Sequence, residues 1–211
     1  MVFLIDGFNL YHSIRDVHAR TGVNYRWLDI RSLCGSFLPV IGGDAHVSRV
    51  FYFSALAHHV EPQNPGAVKR HRAYMRALQS TGVIVELAHF KAKHVRCVCP
   101  VCGTKFDLLR HEEKETDVAI ACKLLELMYD RSVDSVVLVS GDTDLVPAVR
   151  AAMRLATKPI YMLYPVGRRN RAFLGVATHG FRIKEAHYRK YQLPERVHVG
   201  KRVITKPSQW R

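Results

Sequence analysis

Short apolar segments alternate with amphipathic ones along most of this chain. The apolar segments are rich in β-branched and aromatic residues, which is typical of strands. They cover residues 2–5, 46–56, 82–90, 133–140 and 158–165. The segments between them follow a helical period and cover 10–19, 30–37, 67–80, 116–131 and 145–156. Strands that alternate with helices predict an α/β fold: a three-layer α/β/α sandwich around a mostly parallel sheet.

The alternation continues to about residue 185 and then stops. A chain of 211 residues suits one domain, so we expect a single domain over 1–185. Residues 186–211 break the pattern and contain one acidic residue, Glu195. We interpret them as a basic C-terminal tail. Its basic residues are Arg189, Lys190, Arg196, Lys201, Arg202, Lys206 and Arg211.

Composition limits the partners and the location. No segment approaches the roughly 18 apolar residues of a membrane span, and the apolar run at 1–5 is too short for a signal peptide. We therefore expect a cytoplasmic protein with no membrane partner. Its 32 Lys and Arg residues against 18 Asp and Glu give a formal net charge of +14. Solubility alone is one explanation, but this charge favours a polyanionic partner, nucleic acid before membrane.

Aspartates occur where predicted strands end and where one helix begins. Asp6 follows the first strand, and Asp142 and Asp144 follow the fourth in the sequence SGDTD. Asp117 lies in the first turn of the helix at 116–131, on the stripe that faces the sheet. Parallel sheets bind ligands beyond the carboxyl ends of their strands. The pattern therefore predicts four carboxylates at one rim of the sheet.

Each aspartate also has a purely structural explanation. Asp144 suits a helix cap, and Asp142 and Asp6 suit turns. The four together are harder to explain this way, because clustered carboxylates repel each other unless they are protonated or paired. Mg²⁺ or Mn²⁺ prefers carboxylate oxygens and would resolve that conflict. A metal site of this kind in a basic protein suits phosphodiester hydrolysis.

Three segments resemble the signature sequences of a known family. VFLIDGFNLY, EKETDVAIACKLL and SGDTDLVPAV are similar to NYN-domain proteins, the LabA-like branch of the PIN-like nuclease superfamily. The resemblance implies a Mg²⁺-dependent ribonuclease with a PIN-like α/β/α sandwich. The implied metal ligands are Asp6, Asp117, Asp142 and Asp144, with Asn9 and Ser140 as supporting groups. The chain departs from the family pattern at Thr116, where relatives carry a small apolar or glycine-containing pair before the aspartate.

A cysteine cluster lies in an insertion at 91–111. Cys99 and Cys102 form a C-x-x-C-G turn, which is the form of a zinc knuckle. Cys97 is the natural third ligand, and His94 or His111 is a candidate for the fourth. A loop of reduced thiols is the alternative.

Two basic clusters are candidates for phosphate contact. One follows the last predicted strand, and we expect it at the same rim as the acids. Its arginines are Arg168, Arg169 and Arg171. The other lies on the helix at 67–80 and is equally well explained as a solvated face. It contains Lys69, Arg70 and Arg72.

Together these features predict a metal-dependent endoribonuclease that uses Mg²⁺ or Mn²⁺, with a structural zinc ion. A non-catalytic RNA-binding regulator is the main alternative. A metal–nucleotide transferase is a weaker one, based on the D-x-D triplet at 142–144. DNA is not excluded as the substrate, and a homodimer is left open.

Overall fold

The computed structural model describes residues 1–155 and 157–211, and these contain a seven-stranded central sheet. The strands are β1 (Val2–Asp6), β2 (Arg49–Ala55), β3 (Val83–Val98), β4 (Lys105–Lys114), β5 (Val136–Val139), β6 (Ile160–Tyr164) and β7 (His179–Arg182). Their order across the sheet is β4-β3-β2-β1-β5-β6-β7. Every neighbouring pair is parallel except β3 and β4. The predicted α/β class with a mostly parallel sheet is confirmed.

Helices cover both faces of this sheet. They are α1 (Gly7–Thr21), α2 (Ile30–Gly35), α3 (Leu38–Ile41), α4 (Ala67–Ser80), α5 (Thr116–Tyr129), α6 (Val146–Leu155) and α7 (Glu185–Lys190). Successive residues of a strand point to opposite faces. Phe3 and Ile5 of β1 join a core with α1, α2 and α4, whereas Val2 and Leu4 join a second core with α5 and α6. β1 is therefore buried on both sides, which explains its continuous apolar run.

The strand order places a crevice next to β1. From β1 the chain builds β2, β3 and β4 on one side, and β5, β6 and β7 on the other. The carboxyl ends of β1 and β5 therefore border the point where the strand order reverses, which is where open α/β sheets bind ligands. Asp6 ends β1, and Ser140 follows β5 directly.

The predicted strand at 82–90 ended too early. β3 continues to Val98 and pairs with β4 as an antiparallel hairpin, from His89 opposite Lys114 to Val98 opposite Lys105. Most of this hairpin is exposed on both faces. Because little of the hairpin is buried, the sequence lacks the sustained apolar alternation of a half-buried strand there. The insertion at 91–111 is therefore the outer part of a two-stranded arm.

Two further elements differ from the predictions. β7 was missed because it is a short edge strand whose residues are mostly exposed. The predicted helix at 145–156 starts with a 3₁₀ turn at Thr143–Leu145 and continues as α6. Its predicted last residue, Ala156, lies outside the described residues.

The basic C-terminal segment is folded onto the domain instead of extending from it. It contains α7 and an antiparallel hairpin of β8 (Arg196–Val199) and β9 (Arg202–Thr205). Tyr188 is fully buried, and Leu193 and Val197 join the same core as α1. A few large apolar residues anchor this segment without forming a periodic pattern. None of the helices in the described ranges is long and apolar enough to cross a bilayer.

Candidate active site

Asp6 lies at the centre of the site and is almost completely buried, with 3% of its surface exposed. Its Oδ1 accepts a hydrogen bond from the backbone N–H of Asn9 at 2.9 Å and thereby caps α1. Its Oδ2 accepts from the Ser140 hydroxyl at 2.7 Å. The turn from β1 into α1 requires glycine at position 7, because a β-carbon there would clash with the carbonyl oxygen of Phe53.

Ser140 and Asn9 join the loop after β5 to the end of β1. Ser140 Oγ accepts from the backbone N–H of Asp142 at 3.0 Å, and Asn9 Oδ1 accepts from that of Gly141 at 3.1 Å. Gly141 has no room for a β-carbon, because the backbone of Arg168 lies against it. These contacts fix Asp142 relative to Asp6, so Asn9 and Ser140 lie where they can orient both acids.

Three carboxylates meet at this position. Asp6, Asp117 and Asp142 each place one oxygen within 4.8 Å of the others. Asp117 comes from the first turn of α5, so the three acids lie on three separate elements. Asp144 is exposed and does not belong to this set, although its charge still raises the pKa of Asp117. Its backbone N–H donates to Asp142 Oδ1 at 3.1 Å.

Burial and mutual repulsion disfavour the charged forms of two of these acids. The pKa of Asp6 is raised to about 6, first by desolvation and then by the charges of Asp117 and Asp142, against the hydrogen bonds from Asn9 and Ser140. The pKa of Asp117 is raised to about 6 by desolvation, by Asp142, and by Glu113 and Asp144. A divalent cation among the three oxygens would remove this penalty. The donor set therefore fits Mg²⁺ or Mn²⁺.

The backbone just before Asp117 is strained. Glu115 has φ 78°, the one positive φ at a non-glycine residue in the described chain. This residue precedes Thr116, whose hydroxyl oxygen is buried and has no hydrogen-bond partner in the described structure. Strain of this kind often occurs at functional sites. Here it turns the chain from β4 into α5 and sets the position of Asp117.

Glu115→Gly should raise the free energy of unfolding by about 0.5–1 kcal/mol. The left-handed conformation costs a non-glycine residue about 1–2 kcal/mol, and the larger entropy of the unfolded glycine chain offsets about half of that gain. Glu115→Ala is the matched control, because it keeps the strain and removes only the exposed ion pair with His89. Denaturant unfolding measures both variants. If the glycine variant is less stable than the alanine variant, the backbone at position 115 is not strained.

A cleft of about 800 Å³ opens beside the acids. It extends from Asp117 and Asp142 past α1 and α4 to Trp210 at the C-terminus. Its polar wall includes three arginines that sequence reasoning did not place together: Arg15, Arg26 and Arg70. Arg15 and Arg26 had no motif signal, because only the tertiary fold brings them to the acids.

The predicted phosphate contacts divide into two groups. Arg168 and Arg70 line the cleft, although Arg168 pairs with Asp16 and Arg70 donates to Pro65 O and Asn64 Oδ1. The other four are exposed and lie outside the cleft lining of the described residues. They are Lys69, Arg72, Arg169 and Arg171.

The cysteines lie at the far end of the β3–β4 arm. Cys99 and Cys102 form a tight turn in which the Gly103 N–H donates to Cys99 O at 2.9 Å. A hydrogen bond with Thr104 is the main cause that lowers the pKa of the Cys102 thiol to about 7. Within residues 1–155 and 157–211, the three aspartates are the only group of three or more side chains placed to bind a metal. The predicted set of Cys97, Cys99, Cys102 and His94 is therefore not brought together.

The pleat of β3 explains why neither histidine completes the cysteine set. His94 lies three positions before Cys97 and so points to the opposite face of the strand. His111 pairs with Ala92, which also lies on the opposite face from Cys97. The His111 ring stacks on His59, with 4.4 Å between the ring centroids. Sequence spacing alone did not show this alternation, because the predicted strand ended at residue 90 and the insertion after it was given no strand.

A mostly parallel α/β sheet with carboxylates at the carboxyl ends of its central strands defines an α/β protein with a candidate metal site at the strand-order reversal. The family model for the NYN domain matches residues 1–184. The chain therefore belongs to the NYN domain family, within the PIN-like nuclease superfamily, and the resemblance predicted from three short segments is confirmed. No match was found among curated proteins.

The fold is also similar to a solved structure. This is the crystal structure of a protein of unknown function from Vibrio parahaemolyticus, with a TM-score of 0.55 and 19% sequence identity. The match covers 91% of this chain and 94% of that one. At this identity, the similarity concerns the fold alone.

Proposed function

We propose that this protein is a metal-dependent endoribonuclease that hydrolyses RNA phosphodiester bonds with Mg²⁺ or Mn²⁺. The observation that carries the proposal is the meeting of Asp6, Asp117 and Asp142 within 4.8 Å at the rim of a cleft with arginines in its wall. The net charge of +14 supports a polyanionic substrate. Membership of a nuclease superfamily supports phosphodiester chemistry.

The residues divide the work as follows. Asp6, Asp117 and Asp142 would hold the cation. Ser140 and Asn9 hydrogen-bond to Asp6 and to the loop of Asp142, and so hold these two acids in fixed relative positions. Asp144, at the exposed edge, would contact water or a second ion. A divalent cation, when bound, makes water a better nucleophile at neutral pH and neutralises charge on the phosphate. Arg168 and Arg70 would hold the nucleic-acid backbone along the cleft.

The direct test is incubation of the purified protein with labelled single-stranded RNA and DNA of the same sequence. Each substrate is incubated with Mg²⁺, with Mn²⁺ and with EDTA. Internal cleavage of RNA that needs a metal ion is the expected result. RNA binding without cleavage under all conditions would instead favour the non-catalytic regulator. A nucleotide transferase is less favoured, because Asp144 of the D-x-D triplet lies outside the carboxylate set.

We also propose that the tip of the β3–β4 arm binds zinc through Cys99 and Cys102. Cys97, near the end of β3 and two residues before Cys99, is the nearest further thiol along the chain, and its side chain would have to turn toward the tip. Thiol pairs in C-x-x-C-G turns are typical zinc ligands.

Zinc should copurify with the protein when no chelator is used, at about one ion per chain. Cys99→Ser combined with Cys102→Ser should lose it and lower the melting temperature. Cys122→Ser, an exposed thiol outside the arm, is the control and should keep the metal. Elemental analysis that shows no zinc in the wild-type protein would remove this assignment.

A further inference from the structure

The Trp210 end of the cleft is lined by residues outside the carboxylate set. Its walls come from α1 and the following loop, from the ends of β2 and α4, and from the C-terminal segment. The residues used below are Tyr11, Arg26, Ser54, His71, Tyr74 and Trp210. None of them belongs to the carboxylate set. Five of the six lie within residues 1–184 that match the family model, and only Trp210 lies outside that match.

Trp210 is held in place and remains partly accessible. Its ring packs on Trp27 and Tyr74, with centroid distances of 6.2 and 6.1 Å. The preceding residue, Gln209, accepts a hydrogen bond from Asn24 Nδ2 at 3.2 Å. Trp27 is fully buried, whereas Trp210 is half-buried and lines the cleft. The core therefore uses one face of Trp210, and part of the indole remains available to a ligand.

Two polar groups in the same region suit a nucleotide. Arg26 Nε is buried without a hydrogen-bond partner in the described structure, and its guanidinium lies 5.9 Å from the centroid of the Tyr11 ring. His71 Nε2 lies 3.3 Å from Ser54 Oγ at the end of β2. Burial lowers the pKa of His71 to about 4, so this imidazole is neutral at pH 7. A neutral imidazole and a hydroxyl can pair with the edge of a base, and an unpaired guanidinium can bind a phosphate.

We propose that this end of the cleft binds one unpaired nucleotide of a single-stranded RNA, with the base against Trp210 and its phosphate at Arg26. The ligand class rests on the proposed function, because only a nucleic-acid substrate would bring a nucleotide to the cleft beside the acids. A base in a duplex is paired and stacked, so its face is not free to contact an aromatic side chain. The subsite therefore selects single-stranded substrate. Because Trp210 supplies its aromatic face, the C-terminal segment acts as a specificity element.

The first experiment measures binding of short single-stranded RNAs in which one abasic nucleotide is moved along the strand. The Asp142→Asn protein is used, so that the RNA is not cut. An abasic nucleotide at one position should weaken binding by about tenfold, since base–aromatic stacking contributes on that scale. Trp210→Ala should weaken binding of intact RNA by a similar factor. In this variant, an abasic nucleotide at that position should cause no further loss of affinity. Trp210→Phe keeps an aromatic face and should retain most of this abasic penalty.

A control and a second probe separate the possible failures. Val203→Ala changes an exposed residue of the same segment, and it should leave affinity and the abasic profile unchanged. A nucleoside monophosphate should quench tryptophan fluorescence in the wild-type protein and much less in Trp210→Phe, because Trp27 is buried. Ribose 5-phosphate, which has no base, should not quench it.

Each outcome decides a different claim. If the affinity does not depend on the position of the abasic nucleotide, in protein that cuts RNA with Mg²⁺, the subsite proposal is wrong and the nuclease proposal is unaffected. Base-dependent quenching at Trp210 in protein that cleaves no RNA would support the subsite and count against the nuclease. Loss of affinity in Trp210→Ala with an unchanged abasic penalty would show that the indole only packs the core, and would overturn the subsite. Circular dichroism confirms that each variant is folded.

Discussion

Asp6→Asn should abolish RNA hydrolysis and at the same time stabilise the metal-free protein near pH 8. The activity loss is expected to be at least about a hundredfold, the usual scale for removing one group that stabilises transition-state charge. The stability gain follows from the raised pKa of Asp6, which is about 6 in the fold against 3.8 for the free side chain. Burial of the charged carboxylate therefore lowers the free energy of unfolding. The neutral amide of the variant does not have this cost.

The size of the gain can be bounded. A shift of about two pKa units corresponds to at most about 3 kcal/mol. The amide oxygen of the variant can still accept from the Asn9 N–H, but the bond from Ser140 weakens, which costs about 1 kcal/mol. The free energy of unfolding should rise by about 1–2 kcal/mol in EDTA near pH 8, and not at all below about pH 4.

Denaturant unfolding in EDTA and a cleavage assay in Mg²⁺ measure the two effects. Asp134→Asn, an exposed aspartate outside the site, is the matched control and should change neither quantity. Wild-type turnover by purified Asp6→Asn would exclude Asp6 as a metal ligand. An inactive variant that is also less stable would show that the Asp6 carboxylate acts mainly as the cap of α1.

The acids could be predicted from the sequence because the backbone decides where they lie. Parallel strands end at one edge of the sheet, so residues just after two neighbouring strands must meet there. Asp6 and Asp142 follow from this rule. Asp117 follows from the helical stripe that faces the sheet. Asp144 did not enter the set, because the 3₁₀ turn at Thr143–Leu145 points its side chain to solvent.

The arm and the cleft wall could not be predicted in this way. Most of the β3–β4 hairpin is exposed, so its pairing was not predicted, and the opposite orientations of His94 and Cys97 were not visible. Arg26 and Trp210 lie 184 positions apart, and only the folding of the C-terminal segment onto Trp27 and Tyr74 brings them to one cleft. Contacts of that range leave no local pattern in a sequence.

The stability of the metal-free protein should fall as pH rises from about 4 to about 7, and Mg²⁺ or Mn²⁺ should restore it. Asp6 and Asp117 both have pKa values raised from 3.8 to about 6 in the folded state. A raised folded-state pKa means that the fold binds protons more tightly than the unfolded chain. Their contribution to stability is therefore complete below about pH 3.8 and is lost as pH passes through about 6. A cation replaces the protons, so its effect should grow over the same range.

The measurement is the melting temperature of the Cys99→Ser, Cys102→Ser protein in EDTA and in Mg²⁺, at a series of pH values from about 5 to about 8, so that zinc loss does not contribute. At a concentration of 100 times its Kd, a ligand adds about 2.7 kcal/mol, which raises the melting temperature of a chain this long by roughly 5–10 °C. We expect a shift of that size at the upper end of the pH series and a small one at the lower end. Ionisable groups remote from the three aspartates do not contact the cation, so their contributions cancel in the difference. In Asp6→Asn, the Mg²⁺-induced change in melting temperature should depend less on pH. An equal Mg²⁺-induced change at both ends of the pH series in the wild-type site would show that the cation binds away from these acids.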